Sequence, residues 1–243
     1  MDLTQLHVDP DIRRAETLPG WIYRDAGLYG VARERVFAPS WQLLADADAI
    51  RTPGQAFPVT MLEGCLDEPL LLTRDSADRP HCLSNVCTHR ANLVCEHPGS
   101  LKSLRCRYHG RQFSLDGRMK HMPEFADAEN FPREADHLPR LPLERWAAFL
   151  FTSLRPFAPF ADWARPVAER VGWIDLSAAR FAPERSRDYL VEANWALYVE
   201  NYLEGFHIPY VHAGLTDEVD YGSYRTELFR YASLQVGFSR GGG

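Results

Sequence analysis

No hydrophobic run in the 243 residues exceeds the six at 146–151, against about 20 needed to span a bilayer as a helix. Nor is there a hydrophobic block in the first twenty residues of the sequence. The first twenty residues carry Asp2, Asp9, Asp11 and Glu16, and no secretory signal is visible. There is no excess of positive charge: 27 basic against 33 acidic side chains leave a net charge of −6. That argues against a general binder of nucleic acid or of an anionic membrane. Cysteines number five, too few and of the wrong parity for a disulfide framework. No internal repeat is evident, and the only low-complexity tract is residues 241–243. What remains is ordinary globular composition, 45% apolar and 25% charged. The expectation is a soluble, cytoplasmic chain. In a reducing compartment, cysteine beside histidine suggests metal before disulfide.

Residues 1–36 mix charge with weak helical periodicity and read as an N-terminal helical arm. From residue 41 to 152 short apolar runs alternate with Gly, Pro and Asp, the texture of β-structure. Residues 37–155 are accordingly one all-β domain, with a hairpin turning at Asp116-Gly117 and a long proline- and charge-rich connection over 123–142. Residues 156–243 form a second, mixed domain, making the chain α+β. In it the pattern predicts a helix over 159–171, kinked or split by Pro166, and a strand over 187–193. Asn194 then caps a helix from residue 195 to about 207, ending before Pro209. Strands at 224–229 and 231–236 follow.

Two constellations carry chemistry. Cys87-Thr-His89 and Cys106-Arg-Tyr-His109 give C-x-H-x16-C-x2-H. Four unrelated residues, or a structural zinc site, would be the plain alternatives. Zinc sites usually separate the first pair by two or more residues. A Cys–His alternation in both halves fits better if the cysteines hold one iron and the histidines another, the Rieske 2Fe–2S arrangement. Cys65, Cys82 and Cys95 match no such role and read as structural, and His81, His97 and His121 as surface or core residues. The second constellation is Glu204-Gly-Phe-His207-Ile-Pro-Tyr-Val-His212, or E-x2-H-x4-H. On a helix Glu204 and His207 share a face, with Glu200 one turn earlier, and Pro209 would break the helix and re-aim His212. From spacing alone this could equally be an amphipathic helix with two incidental histidines.

Asn85-Val-Cys87-Thr-His89-Arg90 and Arg105-Cys106-Arg-Tyr-His109-Gly110 resemble the cluster loops of ring-hydroxylating oxygenases. Where Rieske proteins of cytochrome bc complexes carry a disulfide between the loops, this chain has Asn92 and Tyr108. Arg111 stands where they place a hydroxyl on a cluster sulfur. The resemblance therefore implies a low-potential centre. The string from Glu200 to His212 resembles the catalytic motif of Rieske non-haem iron oxygenases, in particular the choline-monooxygenase-like group. It implies an all-β Rieske 2Fe–2S domain followed by the start of an α+β helix-grip (SRPBCC-like) catalytic domain. His207 and His212 would be ligands of a mononuclear Fe(II). Glu204, where most of the family has Asp, would bridge the two centres.

The resemblance further implies a homotrimer in which His109 of one subunit feeds Glu204 and His207 of the next. Electrons would come from NAD(P)H through a flavin/ferredoxin-type reductase. O2 would then be used to hydroxylate or demethylate a small organic substrate, aromatic or a quaternary or methylated amine. Trp195, Tyr198, Tyr202, Phe206 and Tyr210 could cage such a cation, although at helical spacing they read equally as core. The family's third iron ligand is an Asp far downstream. Asp217 and Asp220 lie too close to His212 to match it, so that ligand is expected beyond residue 243 and the chain is expected to be an N-terminal portion of an oxygenase. Two other functions stay open: a Rieske-type electron carrier without oxygenase activity, and a non-enzymatic zinc module.

Overall fold

The computed structural model describes residues 6–241. The first five residues of the expected arm and the last two glycines lie outside them. The described chain divides into two compact units, one made of Ala32–Phe160 with Gly172–Glu184, the other of residues 6–31, Ala161–Val171 and residues 185–241.

The first unit is β-rich. Its eleven strands are β1 (Gln42–Asp46), β2 (Gln55–Met61), β3 (Glu68–Arg74), β4 (Pro80–Ser84), β5 (Gly99–Ser100), β6 (Leu104–Arg105), β7 (Gln112–Phe113), β8 (Met119–His121), β9 (Arg140–Leu141), β10 (Leu143–Trp146) and β11 (Phe149–Thr152). They form antiparallel sheets ordered β1-β11-β10, β5-β2-β3-β4-β9 and β6-β7-β8. The middle strand of the five-stranded sheet explains the layering. Leu70, Leu71 and Leu72 on β3 are all 0% exposed, the continuous apolar run expected of a strand covered on both faces. Alternation sends Leu71 into a core with Leu104, Phe113 and Met119 of the third sheet. It sends Leu70 and Leu72 into a core with Ile50 and with Leu150 of β11. Cys82 lies in that second core, where burial pushes its thiol up to about 12. It is structural, as the sequence suggests.

Two hairpin turns of this unit, β3–β4 and β7–β8, are closed by carboxylates. Asp75 accepts the amides of Ala77 and Arg79 and faces His81 Nε2 at 2.9 Å. Burial alone would raise this carboxyl, but the donors outweigh it and hold it well below the usual carboxylate range. Asp116-Gly117 turns the β7–β8 hairpin as expected, with Gly117 at φ +85°. A Cβ there would stand 2.9 Å from Leu83.

The second unit holds most of helix α1 (Ala26–Ala32) together with α2 (Phe160–Val171), α3 (Trp195–Leu203), α4 (Ile208–Val211), α5 (Ala213–Glu218) and a hairpin of β12 (Val219–Leu228) and β13 (Ser233–Ser239). Three expectations are corrected here. Pro166 does not split α2, which is continuous through it. The carbonyl Pro166 cannot bond belongs to exposed Asp162. Residues 187–193 form no strand; the segment has no ladder partner among the described residues, and Leu190 is fully exposed. Finally, α3 stops at Leu203, before the motif that the sequence places upon it.

Candidate metal centres

The two cluster loops are built on one backbone plan. In the first, the Cys87 amide donates to the Asn92 carbonyl at 2.9 Å and the Cys87 carbonyl accepts the Ala91 amide at 3.0 Å; Val86 bridges Leu93. In the second, the Cys106 amide donates to the Arg111 carbonyl at 2.9 Å, its carbonyl accepts the Gly110 amide at 3.0 Å, and Arg105 pairs with Gln112. Every partner in the second set lies nineteen residues after its counterpart. Each turn closes through a left-handed residue, Ala91 at φ +52° and Gly110 at φ +75°. The sequence shows no repeat because, of residues 85–94 and 104–113, only the two cysteines coincide.

This plan buries Cys87 and Cys106 at 3% and 2% exposure. Burial, then the neighbouring Cys106, pushes the Cys87 thiol up, against the His89 amide that lowers it. His89 and His109 stand with ring centroids 4.7 Å apart at 70°. Burial, and then the charges of His109, Arg111 and Arg90, pull the His89 imidazole down, keeping it in the neutral form a metal ligand requires. Its Nδ1 is buried with no hydrogen-bond partner. Two buried thiols and a pair of imidazoles, one with an orphaned nitrogen, are the donor types a Rieske cluster needs, so the residues fit that group. A single zinc ion fits less well, since among the described residues no three donor side chains converge to hold one ion.

In the second unit the iron motif is organised by a break, not by a helix face. Asn194 caps α3 by accepting the Ala196 amide at 2.9 Å. At the other end Gln235 Nε2 donates to the Leu203 carbonyl at 3.1 Å. Glu204 is extended, at φ −123°, and Gly205 lies against the Tyr224 ring, where a Cβ would come within 2.5 Å. Pro209 sits in the first turn of α4, where its missing N–H costs nothing. The turn at 204–207 is therefore the breaker, and Pro209 starts the next helix. The outcome for the ligands is still convergence. His207 and His212 have ring centroids 5.0 Å apart at 72°, and the Thr216 hydroxyl bonds the Ile208 and His212 carbonyls at 2.9 and 3.0 Å.

Glu204 accepts from His207 Nδ1 and from the Phe206 amide. Partial burial would raise its carboxyl, but these bonds outweigh it and hold it below the usual range. With Nδ1–H so engaged, His207 presents Nε2 as the free donor, the arrangement in which a carboxylate fixes the tautomer of a metal-binding imidazole. Glu200, expected beside Glu204, instead accepts the Tyr23 hydroxyl at 2.7 Å. Asp217 is exposed and Asp220 accepts the Gly222 amide. The aromatic candidates are neither core nor an enclosed cage here: Trp195 is 37% exposed, and Tyr198, Tyr202, Phe206 and Tyr210 are 69% or more.

Comparison with known families decides the kind of chain. Residues 40–132 match the Rieske [2Fe-2S] domain, and residues 177–237 match the ring hydroxylating alpha subunit (catalytic domain). The chain belongs to the Rieske oxygenase alpha-subunit family. It is 28% identical over 239 residues to choline monooxygenase of Beta vulgaris, covering 93% of this chain and 52% of that one. It is 28% identical over 236 residues to the carnitine monooxygenase oxygenase subunit of Escherichia coli (strain K12), covering 94% and 60%. Among solved structures, the quaternary ammonium Rieske monooxygenase CntA in complex with an inhibitor superposes with a TM-score of 0.74 at 26% identity, over 93% of this chain and 62% of that one. This Rieske oxygenase chain thus spans between half and two thirds of the length of these relatives. A Rieske 2Fe–2S cluster and a mononuclear iron are the cofactors that its two domains imply. No described helix is long and apolar enough to cross a membrane.

Sequence reasoning missed Tyr224 under Gly205, Gln235 on the end of α3, and Tyr23 on Glu200. Each acts across a long stretch of chain with no local pattern to mark it.

Proposed function

We propose that the chain is the oxygenase component of a Rieske non-haem iron system acting on a small methylated or quaternary amine. In this reading Cys87 and Cys106 hold one iron of the cluster, His89 and His109 the other, and His207 and His212 hold the mononuclear Fe(II). The observation that carries it is one chain with both donor sets: two buried thiols with two imidazoles in matched loops, and two further imidazoles of which one is oriented by Glu204. When bound, the metals supply one-electron transfer and O2 activation. The chain's own residues do the placing. The matched turns hold the cysteines out of water, His109 is exposed at the end of its loop, and Glu204 keeps the His207 Nδ1 proton in place. Electrons would come from NAD(P)H through a flavin/ferredoxin-type reductase, and transfer from His109 to Glu204 would cross between subunits of a homotrimer. The amine is favoured over an aromatic ring by the choline and carnitine relatives. A cytoplasmic location belongs to the same proposal, consistent with five unpaired cysteines.

The test is anaerobic iron and acid-labile sulfide analysis with an absorption spectrum, on this chain and on His207→Ala. Two irons and two sulfides with a Rieske spectrum, kept in His207→Ala while any additional iron is lost, is the expected result. Loss of the spectrum in His207→Ala would overturn the division into two sites. Zinc without sulfide would overturn the whole reading. An electron carrier is the second reading. It is favoured by the fact that, among the described residues, two imidazoles and one carboxylate, itself occupied by His207 Nδ1, are what gathers at the iron motif.

A further inference from the structure

The residues at equivalent places in the doubled turn, Asn92 and Arg111, each reach across to the opposite loop. Asn92 Nδ2 lies 3.8 Å from Cys106 Sγ. Arg111 Nη1 donates to Thr88 Oγ1 at 2.7 Å and Nη2 to Asp136 Oδ1 at 2.9 Å. The Thr88 hydroxyl in turn donates to the Asp136 carbonyl at 2.8 Å. The other oxygen of Asp136 accepts the Arg133 amide at 2.8 Å, and the guanidinium lies 5.5 Å over the Phe131 ring. Arg111 and Asp136 are 3% and 6% exposed, so this is a buried ion pair joining both cluster loops to the connection that follows them. Cys87 and His89 both feel the Arg111 charge. The two positions that the resemblance marks as lacking a covalent link, Asn92 and Tyr108, thus lie in loops that a charged contact already joins.

We propose that Arg111 and Asp136 form a noncovalent brace that retains the cluster and sets its reduction potential through two opposed buried charges. The proposal rests on the cluster reading given above. Reduction adds a negative charge to the centre, so Arg111 favours the reduced state and Asp136 disfavours it. Arg111 and Asp136 are positioning residues, since neither is a ligand. Replacing either one alone leaves its partner buried and unpaired.

The experiment uses the full chain and its variants Arg111→Gln, Asp136→Asn and the double variant. Reduction potential is read at pH 8 by redox titration of the absorption spectrum, and cluster retention by the rate of iron loss to a chelator. Arg111→Gln should lower the potential, Asp136→Asn should raise it, and the double variant should return toward the parent. Each single variant should lose iron at least about tenfold faster than the parent, and the double variant more slowly than either. Shifts of the same sign, or faster iron loss with unchanged potentials, would overturn the brace as a tuning device and leave a packing role. Should the single variants take up no cluster, the double variant decides: uptake supports the proposal and failure overturns it. A parent chain that binds no cluster would instead bring down the cluster reading, and the brace with it.

Discussion

The two units handle apolar surface in opposite ways. The β-rich unit wraps β3 so completely that three successive leucines see no solvent. The other unit keeps Tyr189, Leu190, Tyr198 and Tyr202 exposed, while α3 buries no residue fully. The first unit therefore seats its donor loops on a doubly covered sheet and closes them with matched backbone turns, and the second holds its donors by a few specific contacts: a cap, a glutamine, a tyrosine ring, a carboxylate on an imidazole. Rigid placement can be reached by either route, but the two should fail differently when they are cut.

The largest contrast is expected between Leu71→Ala and Tyr198→Ala. The first opens a cavity between β3 and the cluster sheet and should cost about 2–5 kcal/mol; the second removes an exposed side chain and should stay within about 0.5 kcal/mol. Urea unfolding of the full chain, followed by near-ultraviolet circular dichroism, would measure both, and equal losses would erase the distinction. A smaller effect sharpens it. Gly205→Ala drives a Cβ into the Tyr224 ring and should cost about 1–3 kcal/mol. Hydrogen exchange should rise around residues 204–212 and stay unchanged in the β-rich unit. The smallest effect is a pH dependence. The Asp75 carboxyl is held low in the fold, so its contribution is present above the unfolded value of about 3.9 and fades as pH falls through the lower folded value. Asp75→Asn should destabilise by about 1–3 kcal/mol at pH 7, and the urea midpoints of variant and parent should draw together progressively as pH falls from about 4.

Local chemistry made much of this readable in advance. The β texture, the Asp116-Gly117 hairpin and the Asn194 cap stand where short-range signals put them, and the C-terminal strands overlap their expected ranges. The two errors at the iron motif share a cause. A helix over residues 195–207 and a break at Pro209 are what periodicity and proline rules favour. The end of α3 is decided instead by Tyr224 and Gln235, contributed by a hairpin later in the chain. Residues 187–193 have the β-branched and aromatic content of a strand, yet a strand exists only where a neighbour supplies its hydrogen bonds. The Arg111–Asp136 pair was hidden for a similar reason. Twenty-five residues separate the partners, and the segment that carries Asp136 reads as plain connection.

The doubled turn has a consequence for speed. Electron transfer is slowed by whatever nuclear rearrangement must accompany it, and a loose ligand cage rearranges more than a tight one. In this chain each thiol is pinned at both its own amide and its own carbonyl, by the same two bonds in each loop. Its backbone is left with little room to adjust when charge arrives. A centre seated there would change oxidation state with a small reorganisation energy, whichever partner it served.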